Sequence, residues 1–386
     1  MIRSFSASYA GHVVDTGLGF GGTPSNDRSY SNEDLAQAFS WALDIAQHLD
    51  RLGYDEFWMA EHHFQPEGYE CIPNLLMLNL YLASHTQRLK FGCGFNISPM
   101  WHPLRLAEDF AMADILTQGR VIFGVGRGYH TREVETFGSP MLDGDANREL
   151  FEEQVEIILK AFREESFSFE GKHYQIPARV PYRGYQLEKL TLVPRPLRQP
   201  VEVWQPLVSG NPRGIDFMAK MGIRPLIANT SEPALGQRMA MYQDAAAAHG
   251  RTLQLGEDVS LGYRFFIADT QDQAIEMARP YFEEAMKFAA PLGLTALSAE
   301  QIEAVAGARD GIPRGVNLPT LEEAVAGGNW LCGPPELLIE HLERVEQQYP
   351  GVERVNLGSV MGMPLEVFKD QLTKFAEGVM PDFAGR

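Results

Sequence analysis

Strand-like and helix-like segments alternate along nearly the whole of this 386-residue chain, and few folds accommodate that alternation. Parallel strands cannot be joined by a tight hairpin; each pair needs a crossover, normally a helix, so repeated strand–helix units build a parallel sheet with helices over it. Apolar runs near Ile2–Tyr9, Asp55–Ala60, Leu89–Phe95, Val121–Val125, Val201–Trp204, Pro225–Ala228, Val259–Ala268 and Arg354–Gly358 mark eight strands. Amphipathic stretches between them predict helices, among them Asn32–Leu52, capped by Ser31 or Asn32 and ended by Gly53, and Asn147–Glu164. Eight such units without a hairpin in the framework predict a closed (β/α)8 TIM barrel rather than an open doubly wound sheet. Residues 1–386 read as one domain with insertions after helix four, at about 166–200, and before strand eight, at about 291–320. A turn at Glu170–Tyr174 between two small strands belongs to the first; the second reads as a lid or an outer decoration.

Charge and cysteine usage exclude several roles. With 51 acidic and 33 basic side chains the formal charge is −18, which repels nucleic-acid phosphates and anionic lipid surfaces. Cys71, Cys93 and Cys332 are odd in number and scattered, which fits a reducing compartment such as the cytoplasm. The start of the chain lacks the apolar core of a secretory signal, and the most apolar stretch, Leu75–Ala83, is far shorter than a membrane span. A cytoplasmic enzyme acting on small molecules is the expectation.

In a barrel, chemistry gathers where strands end in loops at the carboxyl-terminal face. Strand two runs out into Glu61-His62-His63-Phe64, with Trp58, Ala60 and His62 on one face and Met59, Glu61 and His63 on the other. One histidine can face the interior easily. Two readings stand: catalytic imidazoles, or hydrogen-bonded residues behind the site. No metal is expected, because adjacent histidines lack the i, i+4 spacing of a zinc-binding helix.

Strand four leads into Gly124-Val125-Gly126-Arg127-Gly128-Tyr129. Its glycines either shape a tight turn or let backbone N–H groups approach a phosphate that Arg127 grips. This is not the dinucleotide fingerprint, which follows a first strand with other spacing. After strand five, Val208-Ser209-Gly210 precedes a helix start, which is either a plain cap or a second anion contact. Strand three exits through Gly94-Phe95-Asn96, read as ordinary packing or as backbone held against a flat ring. Trp58, Phe95, Trp101 and Trp204 are candidate pocket walls.

Taken in order, Glu61-His62-His63-Phe64, His102-Pro103-Leu104-Arg105-Leu106-Ala107-Glu108-Asp109, Gly119 through Tyr129, and Phe137-Gly138 resemble the bacterial luciferase-like flavin monooxygenase family. The resemblance implies a barrel binding reduced FMN at its mouth, a homodimer, and a separate NAD(P)H:flavin reductase as the source of the reduced flavin. It implies His62 as the catalytic histidine with His63 beside it, Arg127 and Tyr129 on the flavin phosphate, and Val208, Ser209 and Gly210 as further contacts. A non-proline cis peptide under the flavin ring falls at Gly94–Phe95, with Phe95–Asn96 as the second assignment. Gly126 stands where luciferases carry a reactive cysteine, and past Ser209 the register shifts, leaving Asn211, Pro212 and Arg213 unassigned.

The reading that follows is an oxygenase component that uses reduced FMN and O2 to place one oxygen atom in a small, mostly apolar organic substrate. His62 would serve as general acid/base. Alternatives are an F420-dependent oxidoreductase of the same superfamily and a catalytically silent partner subunit.

Overall fold

In the computed structural model, which describes residues 1–228, 230–309 and 311–385, the alternation closes into a barrel. Its strands are β1 (Ser4–Tyr9), β2 (Glu56–Met59), β3 (Lys90–Cys93), β4 (Val121–Gly126), β5 (Val203–Pro206), β6 (Arg224–Ala228), β7 (Ser260–Ile267) and β8 (Arg354–Gly358). Every adjacent pair is parallel, and β8 returns to β1 with Ser6 opposite Asn356. Helices follow each strand, from Asn32–Leu52 after β1 to Leu365–Gly378 after β8. Ser31 caps the first through a capping box with Asp34, and Gly53 ends it in the left-handed region at φ 87°.

The first insertion contains the expected small hairpin, Phe169–Glu170 against Gln175–Ile176, and a second, Pro181–Tyr182 against Tyr185–Gln186. The second excursion is longer than the 291–320 stretch. Helix Gln271–Ala289 belongs to it, because the crossover into β8 is helix Pro335–Gln348, and a further strand, Trp330–Gly333, pairs with the upper half of β7. Period-3.6 patterning identifies Gln271–Ala289 as a helix but carries no information on which layer it joins. No described helix is long and apolar enough to cross a membrane.

Register fixes which side chains line the lumen. Outward residues pack on the helices: Phe123 meets Phe110 and Phe162, Phe265 meets Phe375, and Tyr263 meets His341. The residues between them point inward and form layers. At the amino-terminal floor Glu56 pairs with Arg354, which also reaches Glu202, while Arg224 pairs with Glu202 and Asp258. Above it Trp58, Ile122, Trp204 and Leu226 form a separate apolar cluster with Phe95. Trp58 and Trp204, expected as pocket walls, are instead the plug of the barrel, 3% and 0% exposed. Ser8, Ala60, Gly94, Gly126, Ala228 and Gly358 occupy the inward positions nearest the mouth. Apart from Pro206 of β5 and Arg264 of β7, large side chains stop below the mouth, and the layer there is bounded by small ones.

Gly92 carries this arrangement, since a Cβ there would stand 2.1 Å from the Trp58 ring. Gly92→Ala should destabilise the fold by about 1–3 kcal/mol by displacing Trp58. Urea unfolding midpoints measure this, and an unchanged midpoint would show that the plug yields freely.

Candidate functional site

β2 ends at Met59, and the chain from Ala60 enters the mouth as extended loop, so His62 continues the inward face. His62 is 4% exposed with both ring nitrogens engaged. Nδ1 lies 3.2 Å from Glu133 Oε2; Nε2 lies 2.9 Å from the Tyr129 hydroxyl and 3.2 Å from Glu70 Oε1. Tyr129 donates to Glu70 Oε1 at 2.7 Å, and His130 Nε2 lies 3.0 Å from Glu70 Oε2. Gln65 spans the two carboxyl groups, donating to Glu133 Oε1 at 2.9 Å and Glu70 Oε2 at 3.3 Å. Glu133 also accepts the His63 peptide N–H at 2.9 Å. The result is a closed network in which two buried carboxyl groups hold one imidazole from opposite sides.

Burial alone would lower the His62 pKa, but Glu70, Glu133 and Glu61 outweigh it and raise the value above the usual histidine range. Burial likewise works to raise Glu133, but its hydrogen bond to His62 and the charges of His62 and His130 bring it below the ordinary carboxyl value. The Tyr129 phenol is pushed far up by burial and by Glu70, so it stays protonated.

His63 takes the other face. Its Nε2 lies 3.2 Å from Glu61 Oε1, and its ring packs against Phe137. Glu61, 1% exposed, also accepts from the Ile97 N–H at 2.7 Å and the Trp101 indole at 2.8 Å, so it ties the exits of β2 and β3 together. Trp101 thus anchors a carboxyl group. Glu61 and His63 support the site from behind, and His62 is the histidine turned toward Tyr129 and Glu70.

The exit of β3 has a cis peptide at Gly94–Phe95. Asn96 is fully buried and donates to the Gly124 carbonyl at 2.9 Å, so its side chain ties β3 to β4. Cβ atoms added at Gly94 and Gly126 would come within 3.2 Å of Trp58 and 3.3 Å of Phe95 and Ile97, so glycine at both positions lets the backbone pack closely on those side chains.

Arg127 leaves β4 on the side of the mouth facing β5. Burial lowers its pKa, with the Arg148 and Arg213 charges adding to the effect. Gly214 lies in the first turn of helix Pro212–Met221, and a Cβ there would stand 3.1 Å from Arg148. Arg127, Arg148 and that helix start therefore form one cationic corner, in which Arg213 is paired with Glu152 at 2.7 Å. The Val208-Ser209-Gly210 loop is exposed beside it, because β5 and β4 are neighbours, and Asn211 caps the helix through the Gly214 N–H. Tyr129 departs from its expected place: its hydroxyl is committed to Glu70 and His62, which leaves only its peptide N–H for a phosphate.

Gln65, Glu70, His130 and Glu133 escaped the sequence reading. Glu133 sits on a short helix, Thr131–Thr136, ahead of the longer Gly144–Arg163. Its spacing of three from His130 was the available signal; Glu70 had none, being brought in by an irregular loop. His62, Glu70 and His130 bring one ligand atom each within 4.8 Å of one another, which could hold a metal ion, although Tyr129 and Gln65 already engage that carboxyl group.

The luciferase-like monooxygenase family model matches residues 20–351. Limonene 1,2-monooxygenase of Rhodococcus erythropolis is 24% identical over 83% of this chain and 75% of its own length. The oxygenase component of a flavin-dependent trigonelline monooxygenase of Acinetobacter baylyi is 24% identical over 93% of each chain. A shorter match, 34% identical to an uncharacterized protein of Sinorhizobium fredii, spans 37% of this chain and 40% of that protein. Among solved structures, the oxygenating constituent of Pseudomonas putida 3,6-diketocamphane monooxygenase in complex with FMN has a TM-score of 0.73 at 18% identity, over 99% of each chain. An F420-dependent secondary alcohol dehydrogenase has a TM-score of 0.67 at 16% identity, over 98% of each.

The network predicts a pH signature. A histidine whose folded pKa is raised adds stability that is full below the unfolded value of about 6.5 and is lost as pH rises through the folded one. Relative to His62→Gln, the wild-type chain should therefore be most favoured below about pH 6.5 and lose that advantage on the alkaline side. Unfolding free energies measured at several pH values test this; an advantage that grows with pH would show that burial wins and His62 is neutral.

Proposed function

The chain belongs to the luciferase-like monooxygenase family, and from that premise we propose that it is an oxygenase component. It takes reduced FMN from a separate NAD(P)H:flavin reductase and, with O2, transfers one oxygen atom to a small organic substrate with a largely apolar body. The observation that carries this reading is the juxtaposition at one mouth of a cationic corner, a small-residue surface and a doubly held imidazole. Reduced flavin, when bound, supplies the electrons and the reaction with O2; the protein supplies position, dryness and proton control.

Arg127, with the Ser209 loop and the helix start at Pro212, would hold the phosphate through a guanidinium fork and free N–H groups. Gly94, Phe95 and Gly126 would bear the ring. His62, oriented by Glu133 at Nδ1, would hold or release a proton at Nε2, with Tyr129 and Glu70 as its immediate partners. Its buried position keeps that proton from exchanging freely with bulk water. The two-component arrangement is supported by the similarity to the trigonelline enzyme's oxygenase component. Two protomers would meet through helices Leu75–Ala83 and Pro103–Leu116, whose outer faces expose Met77, Tyr81, Met112, Ile115 and Leu116.

Two variants separate chemistry from binding. His62→Ala should lower oxygenation by roughly 10²- to 10⁴-fold while FMN affinity changes by less than about 3-fold. Arg127→Ala should weaken FMN by at least about 10-fold. Product formation with a generic flavin reductase, alongside titrations with FMN and F420, makes the test. Retained turnover in His62→Ala would remove it from the mechanism, and a preference for F420 would overturn the oxygenase reading. Leu116→Glu should shift the chain from dimer to monomer by light scattering; a wild-type monomer would refute the interface.

A further inference from the structure

At the mouth end of the lumen one cation has no counter-ion among the described residues. Arg264 lies on β7 between Tyr263 and Phe265, both of which pack outward on helices, so its own side chain faces inward. It stands opposite Gly358 of β8 and opposite Trp330 of the added strand, at the mouth end of the barrel. On the floor, on the same inner face, Arg354 and Arg224 are matched by Glu56, Glu202 and Asp258. Arg264 makes no hydrogen bond or ion pair with any described residue. Its guanidinium lies over the Trp330 ring, 5.8 Å from the centroid.

This is costly in a chain with acidic residues to spare. Burial pulls the guanidinium down to about 10, yet it remains a cation at neutral pH. The indole face steadies one side of the guanidinium plane and leaves its N–H edge unused. Its register neighbour on β8 is Gly358, which has no side chain to meet that edge. The position is also separate from the cationic corner: β4, which carries Arg127, is three strands away around the barrel, through β5 and β6.

We propose that Arg264 binds an anionic oxygen of the substrate, which makes the substrate class a small molecule with an apolar body and a carboxylate or comparable oxyanion. That the anion is the substrate rests on the oxygenase reading; the binding itself does not. A planar fork favours a two-oxygen acceptor, and a ligand anion would supply the counter-charge that no described residue gives. The apolar remainder of the molecule would then lie over the small-residue surface toward His62.

The full-length chain is titrated calorimetrically with benzoate, phenylacetate and cyclohexanecarboxylate, each against its neutral amide, for wild type, Arg264→Gln and Arg264→Lys. Wild type should prefer the carboxylates by at least about 10-fold, with the preference abolished in Arg264→Gln and reduced in Arg264→Lys, which lacks the fork. Equal affinity for acid and amide in wild type, or a preference that survives in both variants, overturns the proposal. Reduced-FMN affinity is measured on the same proteins: a change below about 3-fold supports substrate recognition, whereas a loss of 10-fold or more assigns the arginine to the flavin and overturns it. Should the glutamine variant fail to fold by circular dichroism, the lysine variant decides. Wild type that prefers carboxylates yet binds no FMN would refute the oxygenase reading and leave the anion site standing.

Discussion

Two buried carboxyl groups converging on one imidazole are the constraint on which the mouth of this barrel depends. Glu70 and Glu133 could not be taken out of water singly; each is held by His62 and by Gln65, and Tyr129 and His130 complete the set around Glu70. Because both nitrogens of His62 are occupied, the ring cannot turn, and a group intended for proton transfer is fixed before any ligand arrives. Glu61 performs a parallel task one layer back, accepting from Ile97, Trp101 and His63 so that the exits of β2 and β3 move as one.

The lumen makes the same division along its axis. Paired charges close the floor, indole rings fill the middle, and glycine, alanine and serine leave the top open. Stability is thus concentrated where no chemistry is needed, and the space at the mouth is bounded by backbone, which does not compete with a ligand's polar edges. Arg264 is the exception in that open layer, and its lack of a partner among the described residues contrasts with the ion pairs of Arg354 and Arg224 on the floor.

Much of this was legible from the residues alone. Strand periodicity and crossover logic were sufficient for eight parallel strands, and Ser31 and Gly53 marked one helix at both ends. The cis peptide at Gly94–Phe95 came from the family resemblance that the ordered motifs carry, not from the residues of that stretch themselves. What was hidden shares one physical cause: contacts made by irregular loops. Glu70 reaches His62 from a segment with no period, and Glu133 lies on a helix of six residues, too short to announce itself. Trp58 and Trp204 were misread because an aromatic at a strand position is compatible with a wall or a plug, and only barrel closure tells them apart. Helix Gln271–Ala289 was recognised as a helix, but its membership of the excursion depends on which helix crosses over to β8.

The most direct measurement is a crystal structure of the chain soaked with FMN. The account predicts the phosphate within about 3 Å of the Arg127 guanidinium and of N–H groups near Ser209, with the ring against Gly94–Phe95 in the same cavity as His62. A phosphate bound elsewhere, or a ring lying outside the cavity that His62 faces, would contradict it.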